Sequence, residues 1–147
     1  MDEFFGNIAD WIVKNISSQK VLDVGCAKGF LVECFGIDIS KYAISQVRED
    51  IKPYCKVSSI LDPFPEKYYD PIVCIEISEH LPEEDVRKAI KNLCKHTDDI
   101  IFSSTPSDFH EPTHLNVQPA EYWIRLFSEC GFYRDVFFDG SFISPVL

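Results

Sequence analysis

The sequence predicts an α/β fold, a doubly wound and mostly parallel sheet in a single domain spanning residues 1–147. Two observations carry that expectation. Short apolar runs alternate along the chain with segments whose apolar residues recur at helical spacing. In addition, the run Val21-Leu22-Asp23-Val24 breaks into a turn of small residues, Gly25-Cys26-Ala27-Lys28-Gly29, and Gly36-Ile37-Asp38-Ile39-Ser40 follows as a second strand with an acid near its carboxyl end. Size agrees. A chain of 147 residues, 46% of them apolar and with twelve Phe and six Tyr, can bury a core of its own.

Each element has a local reason. Phe5, Ile8, Ile12 and Ile16 recur at helical spacing, so residues 2–16 are expected to form a leading helix packed on the sheet. The first strand is expected at 20–24 and the second at 34–39. Ser40 suits the cap of a helix over 41–50, with Ile44, Val47 and Ile51 facing inward and Pro53 beyond its end. Residues 55–59 read as the third strand, and 70–77 as the fourth, entered from the link Asp62-Pro63-Phe64-Pro65. Val86, Ala89, Ile90, Leu93 and Cys94 make an apolar stripe, and Pro82 with the acids at 83–85 suits the start of that helix. The fifth strand is expected at 99–103. Pro119 opens a further helix whose Tyr122, Trp123, Leu126, Phe127 and Cys130 face the core until Gly131 stops it. Residues 132–138 are expected to form a sixth strand.

The glycine turn points to a ligand. Small residues at 25, 27 and 29 let the backbone pass close to a bound molecule. In open α/β sheets ligands sit beyond the carboxyl ends of the strands, where an acid such as Asp38 takes the hydroxyls of a ribose. A nucleoside-containing cofactor fits both features. A dinucleotide fingerprint requires G-x-G-x-x-G, whereas Gly25 and Gly29 are four residues apart and Asp23 stands two before the first glycine. That spacing disfavours an NAD-type oxidoreductase.

This pattern resembles the D-x-G-x-x-x-G signature of class I S-adenosylmethionine-dependent methyltransferases, whose fold is Rossmann-like. The resemblance continues at residues 69–82, where Glu76-Ile77-Ser78-Glu79-His80-Leu81 matches the E-x-x-E-H-L run that ends strand 4 in ubiquinone-biosynthesis-like members, and at Thr105-Pro106 after strand 5. It implies S-adenosylmethionine as cofactor. The implied cofactor-binding residues are Asp23, Gly25, Cys26, Ala27, Gly29, Asp38, Ile39, Ile60, Leu61 and Glu76. Backbone groups of the turn would hold the methionine end, Asp38 the ribose, Ile39 the adenine face, and backbone groups of Ile60 and Leu61 the adenine edge. His80, and His114 after strand 5, are the implied catalytic residues, one of them removing the proton of a hydroxyl acceptor.

The same resemblance frames the acceptor. The stretch 109–123 and the run 134–142 are similar to bacterial methyltransferases associated with surface-glycan synthesis, which implies O-methylation of a small molecule or of a sugar or glycan hydroxyl. Two glutamates with two histidines also resemble the metal site of small-RNA 2′-O-methyltransferases. E-x-x-E-H-L is widespread in metal-free members as well, so no metal is expected.

One departure stands out. Only nine positions separate Gly29 from Asp38, where a crossover helix normally intervenes. The six residues at 30–35 would make a helix roughly 9 Å long, too short to retrace a five-residue strand of about 17 Å. An extended return of ~20 Å could manage it. The chain is therefore expected to be shortened after its first strand, with one helical turn or less there, and also shortened at its C-terminus, where only residues 142–147 remain for a seventh strand that would pair with the sixth. Apolar sheet surface left bare would need another cover, either the leading helix or a second copy of the chain in a homodimer. The rival reading that follows is a non-catalytic methyltransferase-fold remnant or scaffold with a weakened cofactor grip.

Charge and cysteines bound the partners. A formal net charge of −10 disfavours a nucleic-acid backbone and an anionic membrane as partners. No stretch is long and apolar enough to span a membrane, and the N-terminus lacks the pattern of a signal peptide, so a cytoplasmic location is expected. The six cysteines include no C-x-x-C pair and sit in apolar surroundings, which suits buried free thiols.

Overall fold

Five parallel strands form the centre of the molecule. The computed structural model describes residues 2–16, 20–29, 31 and 35–138. In chain order the elements are α1 (Asp2–Asn15), β1 (Leu22–Val24), β2 (Phe35–Asp38), α2 (Lys41–Ser45), β3 (Cys55–Val57), β4 (Ile72–Ile75), α3 (Glu83–Lys95), β5 (Ile100–Ser103) and α4 (Ala120–Ser128). Single 3₁₀ turns occur at Lys52–Tyr54 and Ser78–His80. The sheet order is β3-β2-β1-β4-β5, so the order reverses at β1 and opens a crevice at the carboxyl ends of β1 and β4.

Strand alternation assigns the two faces. Leu22, Val24, Ile37, Ile72 and Cys74 pack with Val86, Ile90 and Leu93 of α3 and with Trp123 and Leu126 of α4. The opposite face carries the row Cys55, Gly36, Asp23, Val73, Ile101, set by the register of all four strand pairs. At the β4–β5 end of that row Val73 and Ile101 are covered by Ile8 and Ile12 of α1 and by Leu31. At the β2–β3 end Cys26 and Cys55 pack with Val47 and Ile51.

This arrangement shows how a short return between β1 and β2 is covered. The amides of Gly25 and Cys26 both donate to the Ile37 carbonyl, at 2.8 and 3.1 Å, which folds the turn back over β2. The Cys26 side chain then lies over Gly36, where an added Cβ would stand 2.7 Å from the sulfur. Residues 30 and 32–34, on which the expectation of at most one helical turn falls, lie outside the described residues. Ile8 and Ile12 provide the cover expected of the leading helix; the Phe5 side chain lies outside the described residues. With that cover in place, Val73 and Ile101 do not call for a second copy of the chain.

Three expectations need correction. The helix expected at 41–50 ends at Ser45, because Gln46 N–H bonds back to the Ala43 carbonyl at 3.0 Å in a tight i−3 closure and the Ser45 hydroxyl takes the Tyr42 carbonyl. Strand 4 stops at Ile75 rather than 77, because Glu76 adopts a left-handed φ of 53°. Residues 132–138 form no strand: Asp135 accepts from the Phe137 amide in a local turn, and Tyr133, Val136 and Phe137 are exposed. A strand without a ladder partner leaves its backbone unpaired, and the partner expected at 142–147 lies outside the described residues.

Candidate functional site

The crevice has two ends. At the β1–β2 end the chain leaves Val24 through three left-handed residues, Gly25 at φ 80°, Ala27 at 48° and Gly29 at 75°. A Cβ at Gly25 would stand 2.0 Å from Cδ1 of Ile77, and one at Gly29 would stand 2.7 Å from Cδ1 of Ile51. Glycine is thus required here by protein packing as well as by any ligand. The turn is pinned by Asp38, whose Oδ2 accepts from the Ala27 amide at 2.9 Å and whose Oδ1 accepts from the Ser40 amide at 2.7 Å. A carboxylate has about four acceptor positions, so two remain for ribose hydroxyls.

Backbone donors of the turn are largely spent. Gly25 and Cys26 N–H go to Ile37, Ala27 N–H to Asp38 and Gly29 N–H to the Cys26 carbonyl. At these four residues the amide donors are committed inside the chain, so carbonyl oxygens are the backbone groups they have left to offer. Asp23 lies beneath, 6% exposed. Burial, followed by the nearby Asp38 charge, pushes its carboxyl up to about 7.

The adenine-side residues divide. Ile39 is 78% exposed and presents an apolar side chain at the crevice edge. Ile60 instead buries its side chain in the α3–α4 core, and its carbonyl accepts from Asn92 Nδ2 at 2.8 Å. The Leu61 amide is taken by the Ser59 hydroxyl at 3.1 Å. The Ile60 carbonyl and the Leu61 amide are thus each bonded within the chain. Asn92, which also bonds the Asp62 carbonyl, and Ser59 escaped the sequence reading because neither belongs to a motif.

At the β4–β5 end the polar side chains converge. Ser103 Oγ donates to Glu76 Oε1 at 2.7 Å, and the Glu76 amide bonds the Ser103 carbonyl. Glu79 is fully buried. Its Oε2 accepts from Ser104 Oγ at 3.1 Å, and its Oε1 accepts from no described donor. Burial raises its pKa, reinforced by the Glu76 carboxyl beside it. The Glu79 carbonyl accepts from the Leu115 and Asn116 amides at 2.8 and 2.9 Å, docking the loop after β5 onto the end of β4.

That docking brings His80 and His114 together, with ring centroids 4.8 Å apart. His80 Nδ1 meets the Thr113 carbonyl at 3.0 Å and His114 Nδ1 meets the Asp108 carbonyl at 2.9 Å. A carbonyl only accepts, so each Nδ1 carries the hydrogen and each neutral ring keeps a lone pair on Nε2. The Asp108 carbonyl bond, with the charges of Asp108, Glu79 and Glu111, raises the His114 pKa against partial desolvation. One ligand atom each from Glu79, His80 and His114 lie within 4.8 Å of one another. Sequence reading found both histidines but not the Thr113 and Asp108 carbonyls that fix them.

Comparison with known proteins now fits this geometry. A family described as a methyltransferase domain matches residues 3–135, and the chain belongs to that family. Among curated relatives, ubiquinone biosynthesis O-methyltransferases from Neisseria meningitidis and Nitrosomonas europaea are 28% and 29% identical, over 76% and 82% of this chain. The chain spans about half their length, 54% and 57%. Among solved structures, a SAM-dependent methyltransferase from Archaeoglobus fulgidus superposes with a TM-score of 0.74 at 23% identity, covering 92% of this chain and 70% of its own. Magnesium protoporphyrin IX methyltransferase from Synechocystis, crystallised with bound SAH, gives 0.71 at 18% identity, covering 90% and 73%. These likenesses establish the class I methyltransferase fold. No described helix is long and apolar enough to cross a membrane.

Proposed function

We propose that this chain binds S-adenosylmethionine and transfers its methyl group to a hydroxyl of a small molecule or sugar. The observation that carries the reading is the pairing of His80 with His114 beside the crevice, each with Nε2 left as an acceptor. Family membership and the glycine turn with Asp38 support the cofactor, and Asp23, Gly25, Cys26, Ala27, Gly29, Asp38, Ile39 and Glu76 line its proposed place. When bound, the cofactor supplies an electrophilic methyl on a sulfonium that departs as a neutral thioether.

The chain's own work is positioning and proton removal. The acceptor hydroxyl donates its hydrogen to one histidine Nε2 while its oxygen forms the new bond to the methyl carbon. The Glu79 carbonyl, accepting from the Leu115 and Asn116 amides, holds the loop that carries His114. Titration with S-adenosylhomocysteine tests the cofactor half. Replacing either histidine with Gln is expected to lower turnover about 10²–10⁴-fold while leaving that binding intact. Turnover is read as S-adenosylhomocysteine formed with a panel of phenolic and sugar acceptors; unchanged turnover would remove the histidines from the mechanism.

A second reading, a scaffold that keeps the fold without the chemistry, is favoured by the internal use of the turn's donors. An unchanged melting temperature at millimolar S-adenosylhomocysteine would select it. Turnover that survives EDTA would set aside a metal on Glu79, His80 and His114.

A further inference from the structure

We propose that Asn92 is a positioning residue for the purine end of the cofactor, clamping residues 60–62 so that their backbone meets the edge of the adenine. The proposal rests on the cofactor reading above, with backbone groups of Ile60 and Leu61 at that edge, and names the residue that sets their place.

The clamp uses both hydrogens of one side-chain amide. Asn92 lies on α3, and its Nδ2 donates to the Ile60 and Asp62 carbonyls, each at 2.8 Å, across 32 and 30 residues of chain. Two carbonyl acceptors require the nitrogen of the amide to face them, which fixes the orientation of the side chain. Asn92 is itself held. Its main-chain carbonyl accepts from His96 Nδ1 at 2.7 Å, and the His96 ring packs on Phe64, just past the loop, with centroids 4.9 Å apart.

Bonds inside the loop give its shape, and Asn92 gives its place. Asp62 Oδ2 accepts from the Ser59 amide at 2.9 Å, Ser59 Oγ from the Leu61 amide at 3.1 Å, and the Ser59 carbonyl from the Asp62 amide at 3.0 Å. At the loop's start the Ser58 amide donates to the Asp38 carbonyl at 3.0 Å, so the loop leaves the sheet beside the acid proposed for the ribose. Two backbone groups of residues 60 and 61 then have no partner among the described residues: the Ile60 amide, a donor, and the Leu61 carbonyl, an acceptor. Adenine carries the complement, an acceptor at N1 beside an amine that donates. Hypoxanthine reverses both, with N1–H donating and its oxygen accepting. A loop held in one place by Asn92 discriminates between the two bases, whereas a loop free to shift does not.

Calorimetric titration of the whole chain with S-adenosylhomocysteine and with S-inosylhomocysteine, its 6-oxo analogue, tests this. Wild type is expected to favour the adenosyl ligand by at least about tenfold. Asn92→Ala should weaken the adenosyl ligand about tenfold and bring the two affinities together. Asn92→Gln keeps both donors and should restore part of the preference, whereas Asn92→Asp, equal in size but without a donor when ionised, should not. In turnover, Asn92→Ala should raise KM for S-adenosylmethionine and leave kcat unchanged. A preference unchanged in folded Asn92→Ala, even with both ligands weakened alike, overturns the proposal and spares the cofactor reading. Equal affinity of the wild type for the two ligands overturns it as well. Should Asn92→Ala fail to fold, hydrogen exchange in the wild type decides: the Asn92 side-chain amide should exchange slowly in the free protein, and exchange as fast as that of a surface asparagine overturns the clamp. Failure of the wild type to bind either ligand removes the cofactor reading too.

Discussion

The two ends of the crevice spend their polar groups differently. At the β1–β2 end, donors and acceptors are matched within the chain: Asp38 takes two amides, and Ile37 takes two more. At the β4–β5 end, the backbone is satisfied but side-chain acceptors are left over, Glu79 Oε1 and the Nε2 atoms of two histidines. The first end is built as a rigid cradle whose shape is fixed before any ligand arrives. The second keeps one buried unpaired acceptor, Glu79 Oε1, at a cost in stability, beside histidine acceptors that solvent or a ligand can reach. Changes at the first end should therefore damage fold and cofactor binding together, whereas changes at the second should separate them.

The largest expected effect breaks this symmetry within the cradle itself. Asp23 is the cradle's buried carboxyl, with the Asp38 charge nearby. Its folded-state pKa of about 7 lies above the ordinary value of 3.8, so the folded protein keeps a proton that the unfolded chain releases. For a carboxyl raised in this way, the contribution to stability is complete below about pH 4 and is lost as pH rises through about 7. The full difference is up to about 4 kcal/mol at 1.36 kcal/mol per unit. Asp23→Asn is expected to remove this loss, so urea midpoints of variant and wild type should agree near pH 4 and diverge in the variant's favour by pH 8. Parallel curves across that range would mean that Asp23 is ionised in the fold.

Gly25→Val comes next. The substitution forces a β-branched residue to φ 80° and drives its Cβ into Ile77, 2.0 Å away. Left-handed strain and overpacking together should cost about 3 kcal/mol or more, and S-adenosylhomocysteine binding should vanish. Gly6 is the internal control, because a Cβ there meets nothing within 4 Å and it lies inside α1. Gly6→Ala should stabilise the chain by about 0.5–1 kcal/mol and leave binding alone. If both glycines behave alike, the turn is not the rigid element described above.

At the acceptor end, Ser104→Ala removes the one hydrogen bond that Glu79 Oε2 receives from a side chain. Leaving a buried carboxyl without it should cost about 1–3 kcal/mol. Cofactor binding should change little, because the loss falls on the side of the crevice away from Asp38. A matching loss of S-adenosylhomocysteine affinity would show that the two ends are coupled.

What could be read in advance follows the same division. The parallel sheet and the faces of α3 and α4 were legible because apolar period is a property of consecutive residues, and His80 and His114 were singled out by the family resemblance. The early end of α2 and the local turn at Asp135 were not legible, because they depend on single side-chain hydrogen bonds, from Ser45 to the Tyr42 carbonyl and from the Phe137 amide to Asp135. Asp38 was read correctly as the acid at the end of β2, but its bonds to Ala27 and Ser40 belong to the folded turn alone. Ile60 adds a structural duty that no motif announces: its side chain joins the core and its carbonyl accepts from Asn92.

The smallest expected effect tests function with the fold held constant. Ile39 follows the Asp38 acid directly, and its side chain is 78% exposed. An exposed isoleucine contributes little to folding, so Ile39→Ser should change stability by no more than about 0.5 kcal/mol. If the adenine lies along it, that apolar surface becomes buried only in the complex, and its loss should weaken S-adenosylhomocysteine by about 1 kcal/mol, roughly fivefold. Asp38→Ala, which removes a charge-assisted contact and also unpins the turn, gives the upper reference of about 1.5–3 kcal/mol. Ile39→Ser separates a ligand surface from a structural one because the free protein buries so little of that side chain. Equal affinity in variant and wild type would move the adenine away from the β2 edge.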